Sequence, residues 1–594
     1  MYSTSIIDHW KEDILMKKKL LTILVFASCA AFAVFGLAGC GGEQAADEAT
    51  DEAAVEIDPD APILTVENGN FAGVENDGVL EFKGIPYAKA PTGELRWKAP
   101  EPVEASDETF NAAEYGPTSV QYPWHSEPAG ENPAGFSEDC LTLNVWTADL
   151  ETKGKPILFY IHGGGFAWGG TYDPLYNGEF IVREHPDAVV VTTNYRLGAL
   201  GLIDFSDVEG GEDFPDAPYL SVLDLMQSLR WVQANADAFG GDPNNITIFG
   251  ESAGGAYVSL LMACKDAEGL FQHAVAHSGS VNLTFSRDDF KTVGDRYFAE
   301  QTAGKSQAQI LMDVSGAKNM DDLMAISEED MIKYLTEEPC DEWEDTVTDY
   351  YNSPLRGDGS VIPEDPYQAI ADGVNKDVDF ITGTNADEWR YWVDEMGPEA
   401  VVGQGDEEAV AANLEAYKEA IAQVKYDDAM AAAQNDAEKA AVDKVLELSG
   451  ETDLWWQQTE IGNETGFRIP SIVCAQNHAK AGGKSYMYYF EKKSDSEEWL
   501  GACHASETAY VFHNLTGAGF SGTMDEGLAD IMCANWVSFA KDGDPSTDEA
   551  PWTQYDENDR ATMIYGDDGS AKMENDPLGE QRQLMEPFAY YYLK

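Results

Sequence analysis

The chain has 594 residues and carries 37 basic against 107 acidic side chains, a formal net charge of −70. A field of that sign repels nucleic acid and anionic membrane surfaces and favours solubility, so no nucleic-acid partner is expected. With 43% hydrophobic and 11% aromatic residues there is ample material for a large core, and large α/β enzymes often keep one continuous sheet over such a length.

In chain order, Met16-Lys17-Lys18-Lys19 is a basic cluster, residues 20–35 are almost wholly apolar, and Leu37-Ala38-Gly39-Cys40 sets small residues before a cysteine. Charge, apolar run and small residues in that order are those of a secretory signal, and the run is short for a membrane span. The segment resembles a bacterial lipoprotein signal. Residues 1–40 are then expected to be a signal peptide cut before Cys40, with Cys40 carrying a lipid that holds the protein at the membrane outside the cytoplasm. Either Met1 or Met16 serves as the start. Residues 41–61 contain eight acids and no base, a composition that buries no core and reads as a self-repelling tether. The body is expected from residue 62 to residue 594.

Beyond Cys29 in the signal and Cys40, six cysteines remain: Cys140, Cys264, Cys340, Cys474, Cys503 and Cys533. Six can pair in fifteen ways, and the spacing selects none of them. Their wide separation argues against a zinc site. Neither a metal nor any other cofactor is expected.

Along the body, strand-like and helix-like segments alternate. Residues 156–161 form an apolar run ending in glycines, residues 188–193 are β-branched and continuous, and residues 246–249 are a third short buried strand. Later strands are read at 378–382 and 485–490. Helical spacing covers 220–239 and is broken by Gly240-Gly241-Asp242-Pro243. Strands alternating with helices imply an α/β fold with a mostly parallel sheet covered on both faces. Residues from about 403 to 450, rich in Ala, Glu and Lys, read as a helical insertion closed by Gly450, either a cap over a pocket or structural padding.

The strand at 246–249 runs into Gly250-Glu251-Ser252-Ala253-Gly254-Gly255 and then a helix-like run over 256–263. Gly-x-Ser-x-Gly is a weak signal alone, but between a strand and a helix it has the context of a nucleophile elbow. The tight turn exposes the Ser252 hydroxyl at a helix N-terminus, where amides favour developing negative charge. About 90 residues upstream, the strand at 156–161 leads into His162-Gly163-Gly164-Gly165-Phe166. Acyl transfer needs backbone donors aimed at the oxyanion, glycines allow that close approach, and the Ala253 amide would complete the hole.

In this fold the base follows the acid, which follows the serine. His478, His504 and His513 qualify. His478 lies in a helical run and His513 in what reads as a continuing helix. His504 lies in the loop after the strand near 490, where an imidazole can face the elbow, and is preferred, with His513 second. The acid should end the strand at 378–382, which leads into Asp387-Glu388; either carboxylate could hold the imidazole, and spacing does not choose.

With these residues in place the chain resembles the type-B carboxylesterase family of α/β-hydrolases. The resemblance runs from about residue 62 to 565, through 82–88 (FKGIPYA), 137–146 (SEDCLTLNVW), the glycine tripeptide, 194–198 (NYRLG), 239–243 (FGGDP), the elbow, His504 with Glu507 and Phe512, and 543–545 (GDP). It implies a serine hydrolase cleaving carboxylic esters of small molecules through an acyl-enzyme, with Ser252 as nucleophile, His504 as base and Glu388 as acid. It further implies Gly164, Gly165 and Ala253 as oxyanion donors and Glu251 and Ser278 as groups supporting the site from behind. Three departures stand out. Gly116-Pro117-Thr118-Ser119 lacks the cysteine that usually pairs with the position of Cys140. Trp389 replaces a common glycine and is expected to narrow the pocket, and Tyr219 stands where asparagine often precedes a helix. Two other readings are an amidase or carbamate hydrolase on the same site, and a silent binding protein of the same fold. Acyl and alcohol preference and oligomeric state are not encoded legibly.

Overall fold

The computed structural model describes residues 57–121, 132–286, 306–336, 355–391, 430, 433, 435–450, 459–494, 500–514 and 524–588. The proposed signal peptide, Cys40, the acidic tether, Cys340 and most of the 403–450 insertion lie outside the described residues.

Eleven strands of the described residues form one sheet. In chain order they are β1 (Val74–Asn76), β2 (Val79–Pro86), β3 (Thr142–Thr147), β4 (Lys155–Ile161), β5 (Val189–Thr193), β6 (Gly241–Glu251), β7 (His273–His277), β8 (Asp379–Asn385), β9 (Ser485–Phe490), β10 (Ala561–Tyr565) and β11 (Ala571–Asn575). Their spatial order is β11-β10-β9-β8-β7-β6-β4-β5-β3-β2-β1. The seven strands from β10 to β5 in that order are mutually parallel, and antiparallel strands flank them on both edges. A parallel sheet needs cover on both faces, which is why its strands read as continuous apolar runs. Every residue of β4 is buried. Its Ile157, Phe159 and Ile161 join one core cluster and Leu158 and Tyr160 the other, as the two-residue period of a strand requires.

Helices α1 (Leu220–Asn235), α2 (Ala253–Ala263), α3 (Asp436–Ser449) and α4 (Ile469–Lys480) contribute to the first cluster, and α5 (Glu526–Asp542) to the second. Helix α3 is capped by Asn435, whose side chain accepts from the amides of Ala437 and Glu438, and it ends at Gly450 in the left-handed region (φ 72°). Its Val442 and Val445 are buried in the core, so this part of the insertion is packed structure.

The expected strands are present, with shifted boundaries; the strand read at 378–382 runs on to Asn385. Strand β6 begins at Gly241, because the segment read as a breaker pairs with Lys155 through a register shift before Ile157. The α-helix read to residue 239 stops at Asn235 and tightens into a 3₁₀ turn over Ala236–Phe239. Tyr219 precedes α1 without a side-chain cap. Among the described residues, Cys140, Cys264, Cys474, Cys503 and Cys533 are buried free thiols. Burial pushes the Cys140 thiol well up, and the Ser119 side chain partly opposes that shift.

His478, on α4, is buried with its Nδ1 2.8 Å from Ser485 Oγ. Burial pushes it down to about 4, against about 6.5 in an unfolded chain. A group whose folded value is depressed stabilises fully above the unfolded value, and that stabilisation is lost as pH falls through the window from about 6.5 to 4. Replacing His478 by glutamine should therefore flatten the acid side of the stability profile in that window, read from urea midpoints at successive pH values.

Candidate active site

The parallel strands β4, β6, β7, β8 and β9 all end on the same edge of the sheet, and each delivers one part of the site there. β6 ends at Glu251, and Ser252 turns the chain into α2 with φ 58° and ψ −123°. A non-glycine residue in that region carries roughly 1–3 kcal/mol of strain that surrounding structure must over-determine. Here the Ser252 amide donates to the His277 carbonyl at the end of β7 (3.0 Å), and the Ser252 carbonyl accepts from the Ala256 amide (2.8 Å). A Cβ at Gly254 would stand 2.0 Å from the Ile161 carbonyl oxygen, so the elbow packs backbone to backbone on β4.

The glycine loop after β4 lies directly beside this turn: a Cβ at Gly163 would stand 3.2 Å from Ser252 Cβ. Gly164 (φ 104°), Gly165 (φ 57°) and Phe166 (φ 66°) are all left-handed, and a Cβ at Gly164 would strike the Trp168 carbonyl oxygen at 2.0 Å. The amides of Gly164, Gly165 and Ala253 donate to no protein acceptor among the described residues. His162 anchors the loop, its carbonyl accepting from Tyr195 Oη (2.7 Å) and its ring stacked on Tyr195. Burial pushes its imidazole down to about 4, so it stays neutral.

His504 is buried with its Nδ1 2.6 Å from Glu388 Oε2, and its amide donates to the Glu388 carbonyl (3.3 Å). Glu388 follows β8 and is fully buried; its Oε1 accepts from the Asn385 amide (2.7 Å) and the Ser278 hydroxyl (2.6 Å). Asp387, the carboxylate that spacing left equally open, is committed elsewhere: it accepts from the Ala502 amide (2.9 Å) and pairs with Arg390 Nε (2.9 Å). The other two histidines lie apart from this cluster. His478 is the core residue described above. His513 pairs with Asp530 (2.8 Å), and the helix expected to run through it stops at Val511, leaving His513 left-handed at φ 55°.

Ser278 hydrogen-bonds Glu388, and Glu251 lies at the imidazole's other edge, with His504 Nε2 3.1 Å from Glu251 Oε1. Burial raises the Glu251 carboxyl, and Glu507 and Glu388 raise it further, while His504 opposes the shift. Burial works against charge on His504, but Glu251, Glu388 and Glu507 together outweigh it and raise the imidazole. At 3.1 Å the charge on each bears on the other. An imidazole oriented at Nδ1 by a carboxylate presents Nε2 as a proton acceptor, and a hydroxyl at a strained turn beside unpaired amides is placed to attack a carbonyl.

Three neighbours carried no sequence signal. Asn385 binds Glu388 through its amide and, through Nδ2, the Cys503 carbonyl (2.8 Å) and Glu507. Phe467 stands 4.9 Å from the His504 ring, and Tyr391 5.8 Å. Trp389, expected to narrow the pocket, is seated against Gly462, where a Cβ would lie 2.1 Å from its ring, and backs Phe467 at 6.5 Å. Its bulk therefore reaches the imidazole through Phe467.

The sequence profile described as the Carboxylesterase family matches residues 60–583. This chain belongs to the carboxylesterase family. The para-nitrobenzyl esterase of Bacillus subtilis (strain 168) is 32% identical over 532 residues, 88% of this chain and 98% of that protein. The phenmedipham hydrolase of Pseudarthrobacter oxydans is 28% identical, covering 86% of this chain and 96% of that protein. Among solved structures, a Geobacillus stearothermophilus carboxylesterase superposes with a TM-score of 0.70 at 29% identity, over 88% of this chain and 99% of that one. A thermophilic para-nitrobenzyl esterase superposes at 0.68 and 31%, with the same coverage. The carboxylesterase described here has the α/β-hydrolase fold of these neighbours and is a carboxylic ester hydrolase.

Glu251 is the first charge acting to raise His504. Removing it should let the imidazole lose its proton at lower pH, so the acid limb of kcat/KM for Glu251→Gln should move to lower pH. Full pH profiles of parent and variant on one ester check this.

Proposed function

We propose that this carboxylesterase works through a Ser252–His504–Glu388 triad and an acyl-enzyme intermediate. The observation that carries the reading is the oriented imidazole: His504 Nδ1 sits 2.6 Å from a Glu388 carboxylate that two further donors hold in place, at the same sheet edge as the strained Ser252 turn. His504 Nε2 takes the Ser252 proton as Oγ attacks the ester carbonyl. The tetrahedral oxyanion is received by the amides of Gly164, Gly165 and Ala253, whose freedom from protein acceptors suits them to developing charge. The C–O bond to the alcohol then breaks as the imidazolium returns its proton to the leaving oxygen. Water, deprotonated by the same histidine, attacks the acyl-enzyme and releases the acid and Ser252. Phe467 and Tyr391, flanking the imidazole, supply apolar walls for the small-molecule ester.

Ser252→Ala should lower kcat on short-chain nitrophenyl esters by about 10⁴-fold or more and abolish fluorophosphonate labelling while leaving the folded state intact by circular dichroism. Retention of most of the activity would remove Ser252 from the mechanism. Rates on matched ester and anilide substrates separate esterase from amidase chemistry.

We also propose that Cys40 is lipidated after removal of residues 1–39, so that the domain works outside the cytoplasm at the end of its acidic tether. The support is the order of basic cluster, apolar run and Leu37-Ala38-Gly39-Cys40. Expressed in a bacterial host, the parent should take up labelled fatty acid and sediment with membranes. Cys40→Ala should take up no label.

A further inference from the structure

Behind the triad lies a second histidine that the proposed mechanism does not use. His277 ends β7, is buried, and accepts at Nε2 a hydrogen bond from the indole Nε1 of Trp536 on α5 (2.9 Å). An indole N–H can only donate, so His277 Nε2 carries a lone pair and the ring proton resides on Nδ1. Nδ1 in turn lies 3.5 Å from Glu507 Oε1. Two more side chains aim donors at the same carboxylate: Asn385 Nδ2 at Oε2 (2.5 Å) and Tyr488 Oη at Oε1 (3.5 Å). All of these groups are buried.

The direction of the indole decides the charge. Adding a second proton to His277 would set an imidazolium N–H against an indole N–H, donor facing donor. His277 Nδ1–H therefore faces Glu507 across 3.5 Å without neutralising it, and Glu507 remains a net anion in a buried site. Glu388 is likewise saturated, by Asn385, Ser278 and His504. Glu251 differs: no donor among the described residues hydrogen-bonds it, and its Oε1 faces His504 Nε2. Of these three glutamates, it is the one that no described donor satisfies. The other titratable groups facing this cluster, Tyr488, Tyr565 behind it and Cys503, are driven by burial towards their neutral forms.

We propose that Trp536 and His277 are positioning residues that hold Glu507 as a permanent buried anion, and that this anion sets the proton affinity of the Glu251–His504 pair and so the pH at which the esterase switches on. The proposal rests on His504 being the base. A fixed negative charge favours the protonated form of both members of the pair, and Glu507 contributes in that direction to each. Cancelling it must lower both proton affinities together.

The experiment is a set of kcat/KM pH profiles on one nitrophenyl ester, run alongside ¹⁵N-histidine NMR. In the parent at neutral pH, His277 should show the ¹⁵N shifts of a neutral Nδ1–H tautomer. Trp536→Phe removes the donor that blocks a second proton on Nε2, so the shifts should depart from those of the fixed Nδ1–H tautomer. The acid limb should move down by about one pH unit, the scale expected of one charge in a partly screened site. Glu507→Gln should move the limb the same way. His277→Gln keeps an acceptor for the indole and a donor for Glu507 and should leave the limb where the parent has it, whereas His277→Leu should not. Should Trp536→Phe fail to fold, the Glu507→Gln and His277→Gln pair decides alone. An unmoved limb in Glu507→Gln, or a doubly protonated His277 in the parent, overturns the proposal. An active Ser252→Ala enzyme would instead overturn the triad reading on which it rests.

Discussion

The site depends on one contact between backbones. Ser252 can hold its left-handed conformation because β4, β6 and β7 end side by side and leave the turn no room to relax. The Ile161 carbonyl presses on Gly254 from one side, and the His277 carbonyl takes the Ser252 amide from the other. Parallel register makes this possible: Ile161 pairs with Gly250 and His277 with Glu251, so three strand ends are level at the point where the chain turns. The strain of the elbow is thus held by the sheet, and the orientation of the serine hydroxyl is a property of the whole parallel core.

The same edge gathers an unusual load of buried charge. Glu251, Glu388 and Glu507 are fully or nearly fully buried, with His504 and His277 among them, and among the described residues no arginine or lysine pairs with them. Carboxylates buried this way must either take protons or be satisfied by donors. Among the described residues the donors are unevenly dealt, to Glu388 and Glu507 and not to Glu251.

Much of the fold was legible because parallel strands covered on both faces leave continuous apolar runs, as at 156–161 and 485–490. Boundaries were less so: β6 starts at Gly241 because a neighbouring strand accepts it there, and no local pattern encodes a pairing partner. Family resemblance pointed to Glu388, and the structure adds the reason that Asp387 is occupied by Arg390 and the Ala502 amide. Phe467 and Asn385 passed unnoticed, being ordinary residues in ordinary segments that become neighbours of the imidazole through folding alone.

What the sequence by itself determined is what short-range stereochemistry dictates: a serine between small residues at a strand-to-helix junction, glycines after a strand, and an apolar period that commits the chain to a covered parallel sheet. What only the tertiary structure decided is which carboxylate meets His504, which nitrogen of His277 carries its proton, and where the bulk of Trp389 goes. Those outcomes depend on groups more than a hundred residues apart, Ser278 with Glu388 and His277 with Trp536. The direction of a hydrogen bond between distant side chains is set by which atoms the packed core brings together, and local sequence holds no record of it.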